Sequence, residues 1–485
     1  MRHAEQTVPA SRTGAGFGEG TFPCCSAFHI PRSAFWGGAV TVWAWDSVSV
    51  TLGVSGPRGL RFTGVSTDTR HLTPGALFVA LKGERFDAHD FLPDAKGRGA
   101  AAAVVRRGTP PVDGLPFFEV PDTLEALGML ARARRRLLPS QSPVIAITGS
   151  SGKTSTKEMI RAALGTKWRV HATSANLNNL VGVPLTLLDA PEDAEALVVE
   201  AGASVPGEIP QLRNIIEPTI AVVTNVGYAH VAGFGSVEGV MREKLALVDG
   251  VPLAVVGIEP PSLGAEARRR ARTVVAGSDP GADVHPESAE LDDAGRPRIR
   301  WAGAEVTLPV VGFHQIENAM VAVAVARGAG ADPVLALAAL RDVRLPPGRG
   351  SVLAVRGLTV IDDTYNANPS SLRWAVRFAH WLAGRRGRPL VVVVGSMLEL
   401  GVESARLHAA AAREIAALRP ALIGAVGEFA PAFAGLEPPL HARLLTAPDA
   451  AALGPRLRAA LRGDEVVLLK ASRGVALERV LADLN

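Results

Sequence analysis

The chain is written as short, wholly apolar runs separated by stretches in which apolar residues recur at helical spacing. GALFVAL (75–81) and AAAVV (101–105) are the strand candidates of a first block. VIAIT (144–148), ALVVE (196–200), IAVVT (220–224) and LAVVG (253–257) form a second series. LTVID (358–362), LVVVVG (390–395), LIGAVG (422–427) and EVVLLK (465–470) form a third, with Ala-rich helical stretches between them. A run that is apolar on both faces fits a strand covered on both sides, and its alternation with helices predicts βαβ units around mostly parallel sheets.

Punctuation divides these series. LLPSQSP (137–143) breaks both periods and reads as a linker, and the Pro346-Pro347-Gly348 turn closes the middle block. The expected domains are therefore 42–139, 140–346 and 347–485, all α/β, the last a second doubly wound unit. Residues 1–41 are rich in Gly, Ser and Pro and carry no apolar face, so they are expected to be an unstructured extension, or to lie upstream of a translation start near Val40 or Val42. They also lack the basic start and continuous apolar core of a secretory signal.

Composition narrows the class. The 485 residues are 47% hydrophobic and 20% charged, with a net charge of +4, as in ordinary globular proteins. No basic stripe suits nucleic acid. The densest basic run, Arg132 to Arg136, is expected to be the solvated end of a helix over 124–138. No apolar run reaches the roughly 18 residues of a membrane helix. The 2 cysteines, Cys24 and Cys25, are adjacent and build no disulfide framework. A protein of a reducing compartment follows, with no nucleic-acid partner and no membrane insertion.

The chemistry concentrates in VIAITGSSGKTSTKEMI (144–160), where an apolar strand runs through a Gly-rich loop into a helix. Gly149 and Gly152 allow the tight turn that lets the N–H groups of Ser150, Ser151 and Ser155 converge on phosphate oxygens, at the positive end of the helix dipole. Lys153 is placed to neutralise phosphate and Thr154 to put a hydroxyl on Mg²⁺. Ile147 stands where the common P-loop has its first Gly. Mg²⁺ needs further oxygen ligands, and in open parallel sheets ligand residues sit just past strand carboxyl ends. Glu200 ends ALVVE and His230 lies beyond IAVVT; a surface carboxylate and a satisfied loop histidine are the bland alternatives.

These segments resemble the Mur ligase family from about residue 47 to 485. GSSGKTSTKE is similar to the family's ATP loop, and ANLNNLVGVPLTLL (175–188) to its Asn-rich substrate segment, with Asn176 and Asn179. EAGASVPGEI (200–209) and TNVGYAHVAGFGSVEGVMREK (224–244) resemble the stretches carrying the metal Glu, the His and a modified Lys. By that resemblance Glu200, His230 and Lys244, with Thr154, hold metal, and Lys244 is carbamylated; without it Lys244 would read as a helix-surface lysine.

FHQIENAMVAVA puts Asn318 where the family contacts adenine, and PPGRG puts Arg349 at its inter-domain Arg. IDDTYNANPSSL puts Asp363 and Asn366 in the loop that follows. STDTRHLTPGALFVALKGERFDAHDF, with Thr67, Asp68, Thr69 and Arg70, resembles the part that holds a UDP-sugar. Lys470, Ser472 and Arg473 on the last strand's exit read equally as an anion site for substrate or as a solvated loop.

The resemblance implies a three-domain architecture with a central P-loop ATPase sheet and a Rossmann-like C-terminal domain. It also implies a cytoplasmic, monomeric amide ligase using ATP and Mg²⁺. YNANP and GSMLELG fit the member that joins D-alanyl-D-alanine to UDP-N-acetylmuramoyl-tripeptide through an acyl phosphate. The DNPR signature of the diaminopimelate-adding member is absent, and the folate-polyglutamate relative has GTNGKGS. Ser396 replaces the usual Asp of GDMxELG and Ala471 the usual Gly of KGSR. A P-loop regulator using nucleotide only as a switch is the rival class, and it leaves the first block unexplained.

Overall fold

The computed structural model describes residues 43–436 and 443–485. The expectation for residues 1–41 lies outside them.

The first sheet has four parallel strands, Val65–Ser66, Leu77–Val79, Ala102–Arg106 and Phe117–Val120, in that order. The central sheet is parallel throughout, in the order Thr273–Val275, Leu253–Val256, Ile220–Val223, Val144–Thr148, Ala196–Glu200, Val170–Ala172. Its middle strand shows why both faces are apolar. Ile145 and Ile147 pack into one core with Met159 and Met320, while Val144 and Ala146 face a second core on the other side, following the two-residue period of a strand. Helix His314–Ala329 is buried almost all round, as its Ala/Val composition requires.

The third sheet runs Ser351–Val355, Leu358–Asp363, Val466–Lys470, Leu390–Val394, Leu422–Val426, Leu444–Ala447. All its pairings are parallel except that of the first, edge strand. Every apolar run named from sequence is a strand. Missed were the short edge strands and an antiparallel ribbon of Ser288–Leu291, Pro297–Trp301 and Ala304–Thr307, whose half-exposed residues carry no continuous apolar signal.

The arginine run corrects the sequence reading. Helix Thr123–Arg136, capped by Asp122, ends with Arg132 and Arg136 exposed, as expected, but with Arg134 and Arg135 turned inward. Arg134 is buried and donates to the carbonyl of Ala190 at 2.7 Å. Arg135 donates to the carbonyls of Ile216 and Glu217, and Arg132 and Arg136 both bind the Glu217 carboxylate. Together these hold that carboxyl down at about 2, Arg136 contributing most. The charges clamp the last helix of the first sheet's unit onto the central one, with which it also shares apolar core.

Candidate functional site

The strand Val144–Thr148 delivers the Gly-rich loop at its carboxyl end, next to the ends of Ala196–Glu200 and Ile220–Val223. Only glycine fits the entry: a Cβ on Gly149, at φ +149°, would meet the Thr224 hydroxyl at 1.9 Å. Gly152, at φ +78°, opens helix Lys153–Leu164. The loop is held from outside by Asn225, which accepts from the Ser151 N–H at 2.9 Å through its side chain and from the Ser150 N–H at 3.0 Å through its carbonyl. Lys153 folds back, its Nζ 2.8 Å from the Gly149 carbonyl, and burial lowers its pKa, opposed by Glu200.

Thr154 Oγ1 donates to Glu200 at 2.9 Å, and Asn178 Nδ2 donates to the carboxylate's other oxygen, also at 2.9 Å. Glu200 is 3% exposed, so the surface-carboxylate alternative does not hold. Lys244 is fully buried and its Nζ has no hydrogen-bond partner. Burial, then repulsion from Lys153, brings its pKa down to about 7. The surface-lysine alternative is therefore wrong as well. His230, in the left-handed region at φ +56°, pairs through Nδ1 with the carboxylate of Glu399, which belongs to the segment after Leu390–Val394.

Most of these groups, though not Lys244 or Glu399, line a cavity of about 400 Å³. One wall is Ser150 to Ser155 with Asn176, Asn178, Asn179, Glu200, His230 and Asn318; the opposite wall is Arg349, Asp363, Tyr365, Asn366, Asn368 and Lys470. Arg349 stacks its guanidinium 3.9 Å from the Tyr365 ring centre. His314, also in the lining, is half-buried and held neutral, its pKa lowered to about 4 by desolvation.

Several expected residues have their side chains engaged elsewhere. Asn318 accepts from Thr156 Oγ1 at 3.0 Å and donates to Gln315 at 2.9 Å. Asn179 Oδ1 accepts from the N–H groups of Val181 and Gly182, leading into helix Gly182–Leu188. Lys470 is ion-paired with Asp363 at 2.6 Å, and Ser472 donates to the Ala367 carbonyl at 3.1 Å. Both are buried, so the solvated-loop alternative survives only for Arg473, which is exposed and reaches Glu478 at 3.5 Å. Thr67, Asp68, Thr69 and Arg70 are not brought to the cavity. They form a turn in the first sheet's unit, where Arg70 binds the Asp68 carboxylate at 2.7 Å and, as the main cause, lowers its pKa to about 2.

Sequence reasoning missed Asn178, Asn225, His314 and Glu399. Asn225 had a signal, standing just past a strand end beside the loop. Glu399 lay within GSMLELG, but nothing local pointed to its pairing with His230, far away in the chain.

Of the two departures, Ser396 accepts from the Glu428 N–H at 2.9 Å. The Ala471 methyl lies where a Cβ on Gly395 would meet it at 3.0 Å, so the pair fits with glycine opposite.

Fold and site define a P-loop α/β enzyme whose nucleotide loop faces a second α/β sheet unit across one cavity. The profile of the Mur ligase middle domain matches residues 147–326, that of the "Mur ligase, glutamate ligase domain" matches 348–473, and that of the Mur ligase family catalytic domain matches 61–135. The UDP-N-acetylmuramoyl-tripeptide–D-alanyl-D-alanine ligase of Bacillus subtilis is 35% identical over 436 residues, covering 87% of this chain and 93% of the relative. A crystal structure of MurF from Acinetobacter baumannii superposes with a TM-score of 0.83 at 31% identity, covering 92% of this chain and 99% of that one. The MurF ligase of Thermotoga maritima, solved with ADP, gives 0.76 at 29% identity, covering 87% and 96%. The chain belongs to the Mur ligase family.

Proposed function

We propose that this chain joins D-alanyl-D-alanine to UDP-N-acetylmuramoyl-tripeptide at the expense of ATP, releasing ADP and phosphate. The observation that carries the reading is the cavity itself: a Lys153/Thr154 phosphate loop on one wall and an Arg349–Asp363–Lys470 cluster on the other. The kinship with ligases of that name gives the substrates.

A carboxylate is a poor acyl donor, because its charge repels an amine and oxide does not leave. Transfer of the γ-phosphoryl group to the tripeptide's terminal carboxylate gives an acyl phosphate and ADP. The dipeptide amine then attacks the acyl carbon, loses a proton, and phosphate leaves. In the first step an anion approaches a polyanion, so fixed positive charge must be in place beforehand. Lys153 supplies it from the cavity lining, beside the Gly149 carbonyl. Arg349, anchored on Tyr365 from the facing wall, adds a guanidinium as a second positive charge at the same cavity.

The donors fit Mg²⁺. Thr154 and Glu200 offer hard oxygen atoms within hydrogen-bonding distance of each other. Among the described residues no cluster of three His, Cys, Asp or Glu forms a ready cation site. Lys244 would complete one as a carbamate, and an unpartnered buried amine with pKa about 7 is the chemistry that CO₂ addition requires. When bound, Mg²⁺ would neutralise phosphate oxygens during transfer. His230 is a further candidate ligand, oriented by Glu399.

The use of ATP suits a cytoplasmic enzyme, and among the described residues no helix is long and apolar enough to cross a membrane. The turn around Asp68 and Arg70 is the proposed seat of the UDP-sugar. Phosphate release from ATP with the UDP-tripeptide, measured with and without D-alanyl-D-alanine, tests the reading. Turnover dependent on both substrates is expected, and ATP hydrolysis indifferent to both would favour a nucleotide switch.

A further inference from the structure

Asn368 does two jobs with one amide. Its Oδ1 accepts from the Ser371 N–H at 2.9 Å and so caps helix Pro369–Arg386, with the Ser371 hydroxyl reciprocating on the Asn368 N–H at 3.1 Å. Its Nδ2 donates to the backbone carbonyl of Ser150, in the phosphate loop, at 3.0 Å. Capping needs only an acceptor; the bond to Ser150 needs the amide nitrogen. The side chain is 8% exposed, so this donor has little water to fall back on.

Both ends of the link are stiff. Ser150 is fixed to the central unit through its N–H on Asn225 and its hydroxyl on Gly227. Gly227 permits the approach, since a Cβ there would meet the Ser370 hydroxyl at 2.9 Å. On the other side, the residues before Asn368 are tied to the exit of strand Val466–Lys470. Lys470 donates to the Asn366 carbonyl at 3.0 Å and Ser472 to that of Ala367. A shift of the phosphate loop is thus passed through Asn368 to the facing wall of the cavity.

We infer that Asn368 is a positioning residue: its hydrogen bond to the Ser150 carbonyl couples the state of the phosphate loop to the seating of the Asp363–Asn366–Lys470 wall, the side of the cavity opposite that loop and so the one left for the incoming dipeptide. The inference rests on the ligase reading above. It predicts that losing the amide N–H harms use of the incoming amine far more than nucleotide binding.

N368S separates the two jobs, because serine caps a helix about as well as asparagine but is too short to reach Ser150. N368D keeps the acceptor and sets a carboxylate against the carbonyl. Parent turnover with both substrates is measured first and tests the functional reading by itself. For N368S the thermal midpoint should drop modestly, as for the loss of one buried hydrogen bond, and ADP affinity should match the parent, while kcat/KM for D-alanyl-D-alanine falls about tenfold. N368D should fall further. Should N368S fail to fold, N368T carries the same test, since threonine also caps and lacks the amide donor. Parent-like kcat/KM for the dipeptide in a folded variant overturns the inference, as does an equal loss of ADP affinity and dipeptide use.

Discussion

Thr154 donates its hydroxyl proton to Glu200 at 2.9 Å, joining the phosphate loop to the end of the neighbouring strand. This geometry points the hydroxyl's lone pairs away from the carboxylate, free for a cation. Replacing Thr154 by Val preserves the shape and removes both functions. Acyl-phosphate formation should fall by about two orders of magnitude or more, with the fold intact by circular dichroism. A T154V enzyme that kept its normal Mg²⁺ dependence would remove Thr154 from the metal site.

Lys153 lines the cavity with its Nζ on the loop carbonyl of Gly149. K153A should lose about two to three orders of magnitude in turnover at saturating ATP. Near-normal turnover in the purified variant would show that the phosphate site lies elsewhere.

Lys244 must be neutral to add CO₂, and an ordinary lysine at about 10.4 rarely is near pH 7. Burial brings this one to about 7, so a substantial fraction is reactive at neutral pH. K244A should be nearly inactive and should regain measurable activity with acetate, less with bulkier acids, because the vacated space is one side chain long. Full activity in K244A sinks the carbamate; loss without rescue by any small acid argues for the amine itself.

Arg134 is buried and spends its guanidinium on the carbonyls of Ala190 and Pro191. R134M keeps most of the volume and leaves those acceptors without their donor. A loss of about 1–3 kcal/mol is expected, read as a lower midpoint in calorimetry. An unchanged midpoint would mean that apolar packing alone docks the helix.

Glu217 carries the pH signature of that clamp. Its carboxyl is lowered from 4.5 to about 2, so the folded state favours the ionised form. The stabilisation is fully present above the unfolded value and is lost as pH falls toward the folded one. E217Q should therefore be less stable than the parent at pH 7, and the two should converge as pH drops from 4.5 toward 2. A difference that persists at the acid end would assign the effect to packing.

The strands were legible in the chain because both faces of a parallel sheet are covered, leaving apolar runs such as VIAIT and LVVVVG without alternation. GSSGKTS was legible too, since a loop that wraps phosphate needs glycines and a lysine at fixed local spacing. Those properties depend on neighbours in sequence. Whether Arg134 meets water or a carbonyl, whether Lys244 carries its proton, and which partner His230 finds depend on surfaces from distant parts of the chain. Arg134 reaches Ala190 and His230 reaches Glu399 only once separate elements pack. Desolvation and pairing arise from packing, so local pattern located the strands and the Gly-rich loop between strand and helix, while tertiary structure decided the charge and contacts of these residues.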